Sequence, residues 1–466
     1  MNTFFLLMKS ELALTAILFI LLFIKIGKGI SNEKLLGVIQ LLALLNFIGG
    51  FFFNQSGSLF GDFYFTNNLI LFQKSIINLA FYLVLLTGNE WLKNSEHLAE
   101  YLMLLVSSMI GFFLLLSCGN LLMFYLSLEL ATIPLAAAAN FDLHRRRSSE
   151  GAMKMILSSA FSSGLLLFGI SLLYGSTGSL NFTAISYGLD GSPLQILSFV
   201  FVFAAFAFKL SIVPFHLWTA DVYEGSPFPT TAFLSVVSKG AMSFIFIRFV
   251  YFIFQPYFGL WYVLLVALAL ITLLIGNLFA LRQQNIKRFL AFSSIAQVGF
   301  ILIGILSNSM TGLTAVMYFI IVYIFSNLAA FGVATAIAMQ TGKENIDDYK
   351  GLYQTNPFLS WVMALALFSL AGIPPTAGFF GKLFLLTAGG SNASYWVIII
   401  AALTMIISLF YYLKVIRAIF MDKNENPIEK IQLSATAKLG LVLCGAGIIA
   451  AGVFSQLYEF IAQLLN

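Results

Sequence analysis

The chain is 466 residues long, 60% apolar and 9% charged, with a mean hydropathy of +0.96. Soluble domains carry roughly 25% charged residues, so this composition excludes a soluble enzyme or binding module and points to an integral membrane protein. The net charge of +5 does not suggest nucleic acid, because the basic residues sit between apolar runs rather than along one face.

The first residues, MNTFFLLMKSELALTAILF, run into a full-length apolar stretch without an A-x-A-like cleavage site, and read as a first membrane helix rather than a removed signal. A span needs about 20 apolar residues. Fourteen candidates follow in order: 10–27, 34–53, 65–87, 98–117, 119–140, 150–174, 195–218, 229–254, 258–281, 288–307, 311–340, 357–388, 393–420 and 436–463. The expected fold class is therefore all-α and polytopic, with about 14 transmembrane helices.

Basic residues test this register. One set of loops holds Lys25, Lys28 and Lys34, then Lys93, Arg145 to Arg147, Arg282, Lys287 and Arg288, Lys343 and Lys350, and the run from Lys414 to Lys438. The alternate loops hold none, and only Lys9 lies on their side, at the N-terminus. By the positive-inside rule the basic set is cytoplasmic, which puts both termini outside.

Two spans are interrupted by proline, span 7 at Pro214 and span 12 at Pro374–Pro375. Proline lacks the N–H that an unbroken helix needs and clashes with the preceding turn. In lipid such a break persists only where it is buried in protein or faces water. Spans 4–8 and 9–13 resemble each other in outline, and an odd number of helices per block turns the second block over. The order of lysine and proline is reversed between the two breaks, which is read as fitting that inversion. The expected organisation is a three-helix segment (1–97), two inverted five-helix repeats (98–254 and 255–420) with broken helices 7 and 12, and a C-terminal helix (421–466). Inverted repeats with discontinuous helices are a transporter signature.

Inside the spans lie Lys74, Lys154, Lys209, Lys239, Arg248 and Lys382 and, at mid-span, one acid, Glu129. Each costs roughly 2.5–3.5 kcal/mol at the centre of a membrane helix and marks a functional site by default. Arg248 lies near the outer end of its span and is expected to snorkel; Lys154, a few residues into its own span, has the same plain alternative. Lys74 has no partner in this reading. Burial disfavours the charged form of an amine and a nearby carboxylate favours it, so amines and a carboxylate along one protein suit proton transfer. Glu129 is the candidate partner of Lys209, with Lys239 and Lys382 next in line. Serines near them, with Gln297 and Asn327, are candidate water holders, although membrane serines also pack and bond to backbone. His216, just past the first break, is a candidate gate or simply ties the broken helix down. Two distant cysteines (Cys118, Cys444) and three scattered histidines (His97, His144, His216) form no metal, iron–sulfur or haem motif, so no metal and no redox centre is expected in this chain.

The stretch KLSIVPFHLWTADVYEGSPFPTTAFLSVVSKGA (209–241) resembles the proton-conducting antiporter-like subunits of respiratory complex I. DVYEG and the lysine of SVVSK resemble most the subunit N group of bacterial NADH-quinone oxidoreductases and its subunit 2 relatives. LSLELATIPL, SSEGAMKMILSSA, NIKRFLAFSSIAQVGF and SLAGIPPTAGFFGKLFLL extend the likeness over about 98–420. The resemblance implies a proton-translocating membrane-arm subunit coupled to quinone reduction elsewhere, that is, part of a translocase in a bacterial inner membrane. It implies that Glu129 and Lys209 form the charged pair of one half-channel, that Lys154 and Lys239 lie on the connecting path, and that Lys382 belongs to the exit. It implies no cofactor here, with flavin, iron–sulfur clusters and quinone in other subunits. The implied partners are a neighbouring antiporter-like subunit, the small subunit nearer the quinone site, and lipid. Gln297 stands where some family members carry histidine, and glutamine does not titrate. The competing reading is a subunit of a cation/proton antiporter, which shares the fold; a purely structural subunit would gain nothing from the cost of its buried charges.

Overall fold

A computed structural model of the chain describes residues 2–27, 29–143, 145–390 and 395–465. Lys28 and His144, both weighed above, lie outside the described residues. Long apolar runs and short polar connections give an almost wholly helical molecule. The first unit holds α1 (Lys9–Ile26), α2 (Asn32–Gly49), an antiparallel hairpin of β1 (Gly57–Leu59) and β2 (Tyr64–Thr66), and α3 (Asn68–Thr87). Next come α4 (Leu98–Leu116), α5 (Leu121–Ala139), α6 (Arg146–Thr177), α7 (Pro193–Leu210), α8 (Leu217–Gly225) and α9 (Phe228–Ile253). A second series follows: α10 (Phe258–Ala280), α11 (Ile286–Leu306), α12 (Met310–Thr341), α13 (Pro357–Ala371), α14 (Ala377–Gly390) and α15 (Tyr395–Phe420). The chain ends in α16 (Ala435–Val453) and α17 (Gln456–Leu465). Short helices fill several connections.

Among the described residues, 12 helices are long and apolar enough to cross a membrane. The helix α1 has the length but carries Lys9, Glu11 and Lys25, and the halves α13 and α14 are only 15 and 14 residues long. The expected last span, 436–463, is in fact two helices. The apolar run stops at Phe454–Ser455, and α17, with Gln456, Glu459 and Gln463 among its apolar residues, packs back against α12.

The two series carry the same devices in the same order. Asn120 caps α5 by accepting from Leu122 N–H (2.8 Å) and bridges to Asn181. Asn285 caps α11 by accepting from Lys287 N–H (2.9 Å) and bridges to Asn345. These side chains satisfy donors that every helix N-terminus leaves open. Helices α6 and α12 each run 32 residues and stop at a left-handed glycine, Gly178 or Gly342, the usual terminator because glycine has no Cβ. Each break leaves its first half through a left-handed residue, Ser211 (φ 63°) or Gly372 (φ 86°), and passes a cis X-Pro bond at Pro214 or Pro375. Neighbouring helices cross closely at Gly111 and Gly276, where a Cβ would stand 2.4 Å from Ala131 N and 2.7 Å from Ala296 N.

Aligned on these breaks, Leu370 occupies the place of Lys209, and Asp221 the place of Lys382. Both breaks run helix, left-handed residue, proline, helix. The reversed order of lysine and proline therefore does not come from inversion: the two lysines sit on opposite halves of their breaks.

Candidate proton-relay site

Glu129 projects from α5 and Lys209 from the last turn of α7. Among the described residues Glu129 and Lys209 make no salt bridge within 4.0 Å. Each instead meets a serine of α6. Ser163 Oγ donates to Glu129 Oε1, and Lys209 Nζ donates to Ser159 Oγ at 2.6 Å. Residues four apart share a helix face, so one face of α6 connects the carboxylate to the amine. Ser127 Oγ and Ser162 Oγ are buried there without a protein partner. His216 is buried beside the break and its Nδ1 also has no partner; it does not reach either charge by a hydrogen bond.

Lys239 follows a π-helical turn, Leu234–Ser238. Such turns widen the helix and recur at functional sites. Lys239 Nζ donates to Ser294 Oγ at 2.5 Å and lies 5.6 Å from the centre of the Tyr223 ring. One turn earlier, Ser235 Oγ accepts from Asn327 Nδ2 at 2.7 Å. The sequence neighbour Ser293 shares a hydrogen bond of 2.5 Å with Tyr412 OH. Gln297 Nε2 donates to Tyr412 OH (3.2 Å) and to Leu370 O (3.0 Å). Leu370 O also accepts from Lys382 Nζ at 2.7 Å, and Ala371 O does so at 3.1 Å. Polar groups thus run from Lys239 to Lys382 in two hydrogen-bonded segments, Lys239–Ser294 and Ser293–Tyr412–Gln297–Leu370 O–Lys382, which adjoin at the neighbouring serines. Lys382 neutralises the open carbonyl end of α13, where the helix dipole is negative. No such line joins Lys209 to Lys239 among the described residues; Phe206 and Phe246 meet between their helices, with centroids 5.1 Å apart.

Lys154 sits apart from both clusters. Its amine pairs with Glu150 and with Asp221, each at 2.6 Å, and 42% of its side chain is exposed. Asp221 in turn pairs with Arg288 (2.7 Å), Arg288 with Glu224 (2.8 Å), and Glu224 with Arg147 (2.8 Å). Burial pushes the Asp221 carboxyl up, but the hydrogen bonds and charges of Lys154 and Arg288 outweigh it and hold the group below the ordinary aspartate range.

Two further charges lie outside these clusters. Lys74 is buried against Glu11 at 2.5 Å, with Tyr64 OH bonded to both. The sequence reading misses Glu11 because it stands at the very start of a span; a carboxylate one turn into an apolar run was the available signal. Arg248 is held at the turn after α4. Its guanidinium turns back onto Cys118 O (2.7 Å) and Leu116 O (3.4 Å), between the rings of Phe65 and Phe182. Cys118 and Cys444 are buried and unpaired, and among the described residues no cluster of three His, Cys, Asp or Glu side chains is arranged for a metal ion.

Residues 118–408 match the model of the NADH:quinone oxidoreductase/Mrp antiporter transmembrane family. The chain is 43% identical to the NADH-quinone oxidoreductase subunit N of Azobacteroides pseudotrichonymphae, over 99% of this chain and 98% of that one. It is 41% identical to the protein of the same name from Phocaeicola vulgatus, over 98% of both. Its fold is similar to a chain of respiratory complex I from Thermus thermophilus, with a TM-score of 0.80, 26% identity and coverage of 95% of this chain and 97% of that one. The Glu11–Lys74 pair precedes the matched family segment, whereas Glu129, Lys209, Lys239 and Lys382 fall inside it, so this chain belongs to the NADH:quinone oxidoreductase/Mrp antiporter family of membrane subunits, among its subunit N relatives.

Proposed function

We propose that the chain translocates protons as a membrane-arm subunit of an NADH-quinone oxidoreductase, driven by quinone reduction in another part of the complex. The observation that carries this reading is the set of buried amines held on hydroxyls and carbonyls inside the apolar bundle, Lys209 on Ser159, Lys239 on Ser294 and Lys382 on Leu370 O, with Ser293, Tyr412 and Gln297 hydrogen-bonded in series between the last two. Buried ionisable groups are costly, and an ordered series of them through an apolar bundle is what proton transfer requires. In this reading Glu129 and Lys209 are the charged pair of one half-channel, joined across the Ser159–Ser163 face, Lys154 and Lys239 belong to the connecting path, and Lys382 belongs to the exit. His216 lies at the break as a gate for that half-channel.

The basic loops lie on the cytoplasmic side of a bacterial inner membrane and both termini lie outside, a reading supported by the loop charge asymmetry. Redox cofactors (flavin, iron–sulfur clusters, quinone) belong to other subunits. The partners are the adjacent antiporter-like subunit, the small subunit toward the quinone site, and lipid. The family description names Mrp antiporters as well, and a cation/proton antiporter subunit is the alternative; co-purification of flavin and iron–sulfur absorbance with this chain decides for the first.

The test uses the whole complex in inverted membrane vesicles oxidising NADH. Lys239→Met is expected to abolish this subunit's contribution to the pH gradient while the complex still assembles. A normal number of protons pumped per NADH in assembled Lys239→Met complex would overturn the reading.

A further inference from the structure

A cavity of about 460 Å³ opens on the face that carries the basic loops, lined by Trp91, Glu96, His97, Asp142, Arg145 and Phe228 among others. It belongs to neither cluster described above. Asp142 stands at its wall, in the connection between α5 and α6, where burial pushes its carboxyl up although Arg145, Lys287 and the Trp91 indole pull it down; Glu344 adds to the rise. Arg145 is itself paired with Glu344 at 3.0 Å. Lys287 is fully buried behind the wall, donating to Ser226 O at 3.0 Å, 3.9 Å from Glu344 and over the Phe228 ring. Glu96 and His97 also line the cavity.

Two residues of the cavity lining lead inward: the Tyr101 ring lies 4.8 Å from the Trp91 ring and 4.9 Å from the ring of Phe141, the neighbour of Asp142. Tyr101 is completely buried, and its hydroxyl shares a hydrogen bond of 2.7 Å with Thr230 Oγ1. Thr230 begins the helix α9 that continues through Ser235 to Lys239. Asn327 Oδ1, beside Ser235, and Tyr223 OH, beside Lys239, are buried without protein partners, which leaves acceptors and donors for bridging water along this route.

We propose that this cavity is the proton-uptake mouth of the subunit, with Asp142 as the collecting carboxylate and the Tyr101–Thr230 hydroxyl pair as the first buried step toward Lys239. The proposal rests on the translocation reading above. Asp142 binds a proton from the medium, and a proton passes from its O–H into the hydroxyl line, each hydroxyl taking one and giving one. The end state is an Asp142 carboxylate and a protonated Lys239 amine. No electron moves and no co-reactant is needed. The surrounding acids and His97 keep the mouth supplied, while Arg145 and Lys287 prevent the carboxyl from holding its proton too firmly.

The experiment follows the initial rate of gradient formation in inverted vesicles, whose medium bathes this face, from pH 6 to 8.5. A lost collecting group matters most where protons are scarce, so Asp142→Asn is expected to pump near the unaltered rate at pH 6 and about fivefold slower at pH 8.5, with Asp142→Glu restoring the profile. Should Asp142→Asn fail to assemble, Tyr101→Phe, which removes one hydroxyl of the buried step and no charge, is expected to slow pumping several-fold at every pH, and no loss in it overturns the proposal. For Asp142→Asn, a loss equal at every pH, or no loss at any, overturns the proposal. Because Lys239→Met is scored separately, a flat Asp142→Asn profile beside an inactive Lys239→Met removes the mouth and leaves the relay standing.

Discussion

Ser159 and Ser163, one turn apart on α6, hold Lys209 and Glu129 on neighbouring hydroxyls, so the two charges communicate through that helix face rather than by direct contact. Removing either hydroxyl interrupts the same bridge. Ser159→Ala and Ser163→Ala are each expected to slow proton pumping several-fold with assembly preserved. The double variant should be no slower than the worse single one, because residues in one network are not additive. Rates of gradient formation in vesicles, normalised to assembled complex, check this; fully additive losses would mean that the two serines act independently.

The Glu11–Lys74 pair predicts a stability effect instead. Both side chains are at most 3% exposed, and breaking a buried pair by removing one partner costs about 3–5 kcal/mol because the other charge is stranded. Lys74→Met should therefore lower the melting temperature and yield of the purified complex, and Glu11→Gln with Lys74→Met should recover much of the loss. Thermal melts of the three preparations decide it; a double variant as unstable as Lys74→Met alone would argue that the amine is needed for more than balance.

How much of this was legible beforehand depends on the kind of signal. The helices and the two breaks are visible because long apolar runs and prolines act locally. The lysines at 209, 239 and 382 stand out because charge is expensive in such runs. Their partners are not visible: Ser159, Ser294 and Tyr412 are ordinary residues until packing brings them within bonding distance, and serine in a membrane helix usually bonds its own backbone. Glu11 was obscured by standing at a span's edge, and Arg248 by an end-of-span position that suits snorkelling equally well. The likeness of the two halves is weak in sequence but plain in Asn120 and Asn285, Gly178 and Gly342, and Ser211 and Gly372, where backbone geometry rather than side-chain chemistry is repeated.

Another pair of corresponding positions predicts equal sensitivity. Gly111 and Gly276 sit where adjoining helices touch backbone to backbone, and the nearest atom to an added Cβ is a main-chain nitrogen in both cases. Backbone cannot swing aside, and overpacking a tight contact costs about 1–3 kcal/mol or more. Gly111→Ala and Gly276→Ala should both reduce assembled complex sharply, whereas Gly164→Ala, where nothing lies within 4 Å, should be silent. Quantifying assembled complex on native gels checks all three.

The network around Asp221 predicts a pH effect of definite sign. Its carboxyl is held below the ordinary range, so its contribution to stability is fully present above the unfolded aspartate value of about 3.9 and is lost as pH falls through the lower folded value. The group is nearly one-third exposed, so the effect is modest. Melting temperatures of the purified complex measured from pH 6 downward should fall below about pH 4, and Asp221→Asn should flatten that part of the curve. Arg288 keeps Glu224 and Lys154 keeps Glu150 in that variant, so neither cation is stranded. A curve unchanged by Asp221→Asn would place the acid sensitivity elsewhere.

Tyr412 bears on the departure at Gln297. Glutamine cannot exchange a proton, yet Gln297 stands midway along the line from Lys239 to Lys382. Its two hydrogen bonds fix it between Tyr412 OH and Leu370 O, and Tyr412 OH reaches Ser293 on the other side. The hydroxyl can take and release a proton where the amide cannot, so Gln297 positions Tyr412 and Tyr412 carries the transfer. Tyr412→Phe should therefore slow pumping at least as much as Gln297→Ala, although it removes one oxygen and leaves the ring packing against Phe289 intact. Gln297→Glu, which keeps the shape and supplies a group that titrates, should retain pumping but shift its pH profile. Pumping rates of the three variants across pH 6–8.5 test the assignment; Tyr412→Phe indistinguishable from the unaltered complex would show that protons pass between the two lysines by some other path.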